Sequence, residues 1–83
     1  MTTVHQLAKH YDVLRDMCIE YAREMDIRYN NAVMYYTGVR VLVTKIILDD
    51  EFDIMAKIQY IDMNPQHLST VYFGFLREDL NDE

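Results

Sequence analysis

This sequence has very few of the residues from which nucleotide, metal and redox motifs are built. Its 83 residues include two glycines, one proline, one cysteine and no tryptophan. The two glycines, Gly38 and Gly74, cannot form a glycine-rich phosphate loop or a dinucleotide-binding fingerprint. The single cysteine, Cys18, excludes an internal disulfide and CxxC motifs, so we expect a reducing compartment and a small apolar role for Cys18.

Long apolar segments and an excess of positive charge are also missing. No apolar run approaches the roughly 18 residues of a membrane-spanning helix, and the chain does not open with the charged and apolar regions of a signal peptide. The formal net charge of −6 disfavours direct contact with nucleic acid or an anionic membrane, and it favours a basic protein partner. We therefore expect a cytoplasmic protein, and its length fits one small domain over residues 1–83.

No constellation of side chains predicts catalysis or metal binding. The three histidines, His5, His10 and His67, are scattered along the chain. The only serine, Ser69, lacks the turn-forming neighbours of a nucleophile. The sequence therefore predicts no catalytic residue, no metal site and no cofactor, and we expect a protein that is not an enzyme.

A long amphipathic helix is predicted over about residues 3–26. Thr2 or Thr3 would cap its start, and Gln6 completes a capping box with Thr3. Apolar residues recur at helical spacing through six turns, and four carboxylates follow one another at intervals of four on the opposite side. The apolar stripe consists of Val4, Leu7, Ala8, Tyr11, Leu14, Cys18, Tyr21, Ala22 and Met25, and the carboxylates are Asp12, Asp16, Glu20 and Glu24.

Two later segments predict an antiparallel hairpin. The run from Val39 to Ile47 is rich in β-branched residues, and apolar residues alternate with mostly polar ones from Phe52 to Tyr60. An acidic break at residues 49–51 separates the two runs. The fold class is therefore predicted as α+β, with the N-terminal helix packed on a small antiparallel hairpin or sheet.

Two segments allow either a helix or a strand. Residues 32–37 fit a short helix that ends at a left-handed Gly38, or an edge strand. At the C-terminal end, Asn64 and Pro65 form a good helix start, and the apolar spacing favours a helix over residues 65–80. The alternative there is a third strand at residues 70–76, since that segment has the composition of a strand.

Candidate partner-binding residues come from the acidic helix side, from a cluster of tyrosines beside a methionine, and from the acidic hairpin turn. Tyrosine and methionine are favoured at adaptable interfaces, and carboxylates about 6 Å apart along a helix resemble the phosphates of a nucleic-acid strand in their spacing. The predicted set is Asp12, Asp16, Glu20, Glu24, Tyr29, Met34, Tyr35, Tyr36, Asp49, Asp50, Glu51 and Asp53.

Apolar residues away from the predicted core indicate self-association. Val13 and Met17 lie at the edge of the charged helix side, and Leu42, Ile46 and Leu48 alternate onto the hairpin face opposite Val41, Val43 and Ile47. Burying one such side chain is worth roughly 1.5–3 kcal/mol. We therefore expect a homodimer through the sheet or the hairpin edge.

Two functional hypotheses follow. The first is a non-catalytic regulator or inhibitor that binds another protein, in the style of phage inhibitors that imitate DNA, with its carboxylates in a basic nucleic-acid-binding groove. The alternative is a small-ligand or nucleotide-sensing module, formed at a dimer interface by tyrosines together with Arg40 or Lys45.

Overall fold

The computed structural model describes residues 4–79, with side chains from residue 10 onward, and this part of the chain folds into one helix and five strands. In chain order these are α1 (Val4–Tyr29), β1 (Val33–Tyr36), β2 (Val39–Leu48), β3 (Ile54–Tyr60), β4 (His67–Tyr72) and β5 (Leu76–Arg77). A 3₁₀ turn, Phe73–Phe75, joins the last two strands. The fold class is α+β, as predicted: a long helix packs on an antiparallel sheet.

Helix α1 confirms the predicted N-terminal helix and continues three residues beyond its predicted end. Its interior has neither glycine nor proline. It is followed by Asn31, whose φ of 63° is a left-handed conformation that asparagine tolerates better than most residues. The predicted caps at Thr2 and Thr3 lie outside the described residues, as does the side chain of Gln6.

The sheet is antiparallel throughout, with strand order β4-β3-β2-β1-β5. The predicted hairpin is confirmed as β2 and β3, although Phe52 lies in the turn and β3 begins at Ile54. Residues 33–36 form a strand, so the helix alternative for this segment is wrong. Gly38 does have a positive φ, of 82°, but together with Thr37 at 50° it forms the tight turn that connects β1 to β2.

The helix predicted from Pro65 onward is wrong. Residues 67–72 form β4, which pairs with β3 at six successive positions. Pro65 belongs to the connection that precedes β4. The strand alternative is right in kind, although the strand begins at His67 and not at residue 70. The β-branched and aromatic side chains of Thr70, Val71 and Tyr72 suit a pleated surface, and the free edge of β3 supplies a partner that helical spacing cannot reveal.

A β-bulge in β2 decides which side chains enter the core. The pairing of β2 with β3 shifts between Val43 and Lys45, so Thr44 is an extra residue in the ladder. Beyond the bulge the alternation is inverted, and Ile46 is only 3% exposed. The prediction that Ile46 and Leu48 face away from Val41 and Val43 is therefore wrong, and Ile47 takes their place on the other face.

The core lies between α1 and one face of the sheet. Every strand contributes to it, and from α1 the residues Met25 and Tyr29 pack against it. The buried residues of the sheet are Met34, Val41, Val43, Ile46, Ala56, Ile58, Val71 and Leu76.

The N-terminal part of the described helix is less buried than its apolar stripe predicts. Ala22 is the only described helix residue in the buried class, whereas Tyr11, Leu14 and Tyr21 are each about half exposed. Near the start of the described helix, Tyr11 packs against Phe52, which follows β2. Further along α1, the Asp26 carboxylate accepts a hydrogen bond from the N–H of Ile46 within β2, so α1 runs antiparallel to β2. Only the C-terminal part of α1 therefore lies over the buried centre of the sheet.

Because the bulge decides which isoleucines are buried, the same Ile→Val substitution should lower the free energy of unfolding by different amounts on the two sheet faces. Ile58→Val removes a methylene group from a side chain that is 1% exposed, and we expect it to lower the free energy of unfolding by about 0.5–1.5 kcal/mol. Ile47→Val, the matched control on the other face, should cost clearly less. Urea unfolding followed by circular dichroism measures both, and equal losses would contradict the assignment of the two faces.

Candidate functional site

Four carboxylates form an exposed row on the outer side of α1. This acidic ridge consists of Asp12, Asp16, Glu20 and Glu24, and all four are exposed. Arg15 and Arg23 form ion pairs with three of them at 3.7 to 3.9 Å. Exposed ion pairs of this kind contribute little to stability and hold their side chains loosely. The ridge therefore presents its charge to the solvent, as predicted from helical spacing.

The acidic hairpin turn lies beside one end of the ridge. The rings of Tyr11 and Phe52 are 5.5 Å apart, which places the turn next to the N-terminal part of the described helix. Within the turn, the Asp49 carboxylate accepts hydrogen bonds from the backbone N–H groups of Glu51 and Asp53. Asp49 thus holds the turn together and Asp53 is half-buried, which leaves Asp50 and Glu51 as the exposed carboxylates of the predicted turn cluster.

A further carboxylate lies beside the opposite end of α1. The Tyr29 hydroxyl donates a hydrogen bond of 2.8 Å to Glu78 Oε1, and this bond raises the pKa of Tyr29 above its usual value because it favours the neutral phenol. Tyr11 and Tyr29 are 18 residues apart, or roughly 27 Å along the helix axis. Acidic side chains from three segments of the chain therefore occur at the two ends and along the length of α1.

The structure does not bring the predicted tyrosine–methionine cluster together on one surface. Met34 is 4% exposed and belongs to the core, so it is not available to a partner in this fold. Tyr29 packs against Phe73 with a ring separation of 5.3 Å. Tyr35 and Tyr36 are half-buried neighbours in β1, and strand alternation points them to opposite faces of the sheet.

The sheet face opposite α1, called the open face below, carries the opposite charge. The five strands of the described chain contain four lysine or arginine residues and no aspartate or glutamate. Since Met34, Val43 and Ile58 mark the core face, the pairing registers place all four basic residues on the open face. These residues are Arg40, Lys45, Lys57 and Arg77. A protein with a net charge of −6 thus has one basic surface.

Two of these basic side chains face each other without a counter-ion in the part of the chain that the structure describes. Lys45 and Lys57 are direct cross-strand partners, and both are exposed. Among the described residues, neither lysine has a carboxylate within 4.0 Å, and like charges directly opposite each other destabilise a sheet. Arg40, by contrast, donates two hydrogen bonds to Asp62, at 2.9 and 3.1 Å. Arg77 donates to the carbonyl oxygens of Gly74 and Leu76.

Two concavities of the described residues can be compared with a small-molecule site. One, of about 230 Å³, is lined by Lys57 beside Thr44, Ser69 and Thr70, and another, of about 380 Å³, lies between Tyr29 and Arg77. No described polar or charged residue is buried, so neither concavity has the fixed polar groups of a small-molecule site. Arg40 and Lys45, the cations expected to hold the ligand, line neither concavity.

Two carboxylates, Asp26 and Asp62, have structural roles that were not predicted from the sequence. Asp26 accepts a hydrogen bond of 2.8 Å from the backbone N–H of Ile46, immediately after the bulge. At 100° per residue, Asp26 lies on the helix side that also carries Ala22 and Tyr29. An acidic residue on the core side of an amphipathic helix indicates a partner for a buried polar group, and that signal was present. Nothing in the sequence pairs Asp62 with Arg40.

Comparisons with protein-family models, curated proteins and solved structures give no match to this chain. Among the described residues, no group of three or more His, Cys, Asp or Glu side chains is arranged to hold a metal ion. The described helix is too polar to cross a membrane.

The ion pair between Arg40 and Asp62 predicts a measurable pH dependence. Hydrogen bonds from the Arg40 guanidinium lower the pKa of Asp62 below its usual value. Because this pKa is lower in the folded state, the pair stabilises the fold above the pKa of unfolded aspartate, and its contribution is lost as pH falls through the folded pKa. In a carboxyl ¹³C NMR titration, Arg40→Ala should return the Asp62 midpoint towards its usual value. Arg77→Ala should leave it unchanged, and an unperturbed Asp62 in the wild type would contradict the pairing.

Proposed function

We propose that this protein is a non-catalytic regulator or inhibitor that binds another protein through the outer face of α1. The observation that carries the proposal is the mixture of exposed charge and exposed apolar surface on this face. Val13, Met17 and Ile27 are 57%, 63% and 73% exposed and lie among the carboxylates of the ridge. At 100° per residue, these side chains and Asp16, Glu20 and Glu24 cluster on the side away from the sheet. Apolar anchors surrounded by charge are typical of protein interfaces.

The chemistry of this face favours a partner with a basic groove. The ridge carboxylates repeat about every 6 Å along the helix, a spacing similar to that of phosphates along a nucleic-acid strand. Exposed turn carboxylates lie beside one end of α1, and Glu78 lies beside the other. A groove that binds nucleic acid has the complementary charge, so the partner would be a nucleic-acid-binding protein whose groove this chain occupies. Phages use inhibitors that imitate DNA in this way. We therefore propose that this chain is a phage-type inhibitor and that it acts in the cytoplasm.

The proposal predicts a salt-sensitive complex that depends on the ridge. The partner is first captured from the native host with the tagged protein and identified by mass spectrometry. The double variant Asp16→Lys/Glu20→Lys should then weaken binding of that purified partner at least about tenfold, since like-charge contacts at an interface cost several kcal/mol. Isothermal titration calorimetry at two salt concentrations measures the affinity, which should fall as salt rises.

The variant Asp50→Lys/Glu51→Lys makes the same change in net charge at the hairpin turn and serves as the matched control. We expect it to weaken binding less than the ridge variant, because the apolar side chains lie along the ridge and not at the turn. Circular dichroism confirms that both variants fold. An affinity that the ridge variant leaves unchanged would contradict the proposal.

A further inference from the structure

The open face of the sheet is organised in four rows that run across the strands. Strand registers align Arg77, Tyr35 and Arg40 in the first row and Val33, Leu42, Gln59 and Leu68 in the second. They align Lys45, Lys57 and Thr70 in the third row and Ile47, Met55 and Tyr72 in the fourth. Basic and mainly apolar rows therefore alternate along the strands. Leu68 is 74% exposed, and no described element covers this face.

Charge excludes the symmetric ways of covering this face with a second copy. Two open faces packed together would bring eight lysine and arginine side chains into one interface, of which only the Arg40 of each copy has a carboxylate partner among the described residues. Two outer faces of α1 packed together would oppose two acidic ridges. Like charges placed against each other cost several kcal/mol at an interface. The complementary surfaces of this molecule are the open face and the outer face of α1, which lie on opposite sides of it.

We propose that the open face binds the outer face of α1 from a second copy of this chain. The basic residues lie in the first and third rows, which are about 13 Å apart along the strands. Asp16 and Glu24 are eight residues apart, or about 12 Å along a helix. A helix that lies along the strands thus places Asp16 over one basic row and Glu24 over the other. When Asp16 lies over the third row, Val13 lies about 4.5 Å further along the helix, towards the apolar fourth row, and Glu20 lies over the second row, which contains Gln59. The carboxylate over the third row also supplies a counter-ion to Lys45 and Lys57, which have none among the described residues.

This contact joins two different surfaces, so it is heterologous and not a two-fold dimer. Each pair of copies keeps one free helix face and one free sheet face, and assembly continues until a ring closes or the chain of copies ends. A single helix covers about 10 Å by 30 Å of the sheet. This area of about 300 Å² is well below the roughly 800 Å² per partner of a standard stable interface, so the association is weak and sensitive to salt.

Single-stranded nucleic acid fits the open face less well. Binding of bases without sequence preference relies on aromatic stacking platforms, whereas the apolar rows here are mainly aliphatic. The net charge of −6 also repels a polyanion at long range. A helix that carries carboxylates beside exposed apolar side chains offers groups for both kinds of row.

The inference does not depend on the identity of the external partner, although both contacts use the outer face of α1. Binding of that partner and self-association would therefore compete. Reversal of charge on the open face should abolish self-association and leave partner binding intact. Reversal on the ridge should abolish both, so the two proposals fail in distinguishable ways.

The test uses sedimentation velocity of the full chain at low salt, from micromolar to hundreds of micromolar concentrations. The wild type should show an average mass that rises with concentration beyond that of a dimer, and added salt should lower it. Lys45→Glu/Lys57→Glu and Asp16→Lys/Glu20→Lys should each remain monomeric. An equimolar mixture of the two variants should associate again, since each then offers the charge that the other lacks. Asp50→Lys/Glu51→Lys, with its charge change at the turn, should associate like the wild type.

Several outcomes would overturn the inference. These are a wild type that stays monomeric throughout, an association that neither charge-reversed variant weakens, and folded variants whose mixture stays monomeric. A mass that stops at a salt-insensitive dimer would indicate a symmetric apolar interface instead. A wild type that stays monomeric but binds a labelled single-stranded oligonucleotide, with loss of that binding in Lys45→Glu/Lys57→Glu, would assign the open face to nucleic acid.

Discussion

The hydrogen bond from the Ile46 N–H to the Asp26 carboxylate connects the helix to the bulge in the central hairpin, and the sorting of side chains depends on that bulge. The extra residue Thr44 interrupts the ladder between β2 and β3. Thr44 donates a hydrogen bond to the carbonyl oxygen of Lys57, which secures the bulge from the sheet side. Asp26 secures it from the helix side at 2.8 Å. Without the bulge, alternation from Val41 and Val43 would place Lys45 in the core and expel Ile46.

The bulge adds a fourth basic side chain to the open face of the sheet. It turns Lys45 to the side that already carries Lys57, Arg40 and Arg77, while α1 covers the apolar side. Carboxylates are confined to α1, the turns and the segment after β5. A formal charge of −6 is therefore an average over an acidic helix and a basic sheet face. Proposals of partners that rest on net charge alone overlook the basic face, whereas the proposed contacts of the two faces follow from their local charge.

Much of the fold was predictable because local patterns determine it. The long helix and the hairpin of β2 and β3 follow from helical spacing, β-branched runs and alternation. The positive φ of Gly38 was also predicted, although at the end of a helix and not in the turn between β1 and β2. The C-terminal strand was assigned to a helix because Pro65 and the spacing of Leu68, Val71 and Phe75 are local signals. The deciding contact, pairing with β3, is not local.

The candidate site was only partly predictable for a related reason. Helical spacing alone identified the acidic ridge. The open face was missed because a one-residue bulge inverts every later side chain of its strand, and strand alternation has no signal for it. Met34 was assigned to a partner surface because composition cannot distinguish an interface methionine from a buried one. Asp26 was the available clue to the bulge, since a carboxylate on the buried side of a helix requires a hydrogen-bond donor.

The most direct test of this account is the strand register around Thr44, measured from inter-strand nuclear Overhauser effects in the isotope-labelled protein. The bulge predicts cross-strand contacts that pair Val43 with Ile58, Lys45 with Lys57 and Ile46 with Ala56. A regular ladder would instead pair Thr44 with Lys57 and Lys45 with Ala56. That result would place Lys45 in the core, take one of the four basic side chains from the open face and contradict the account.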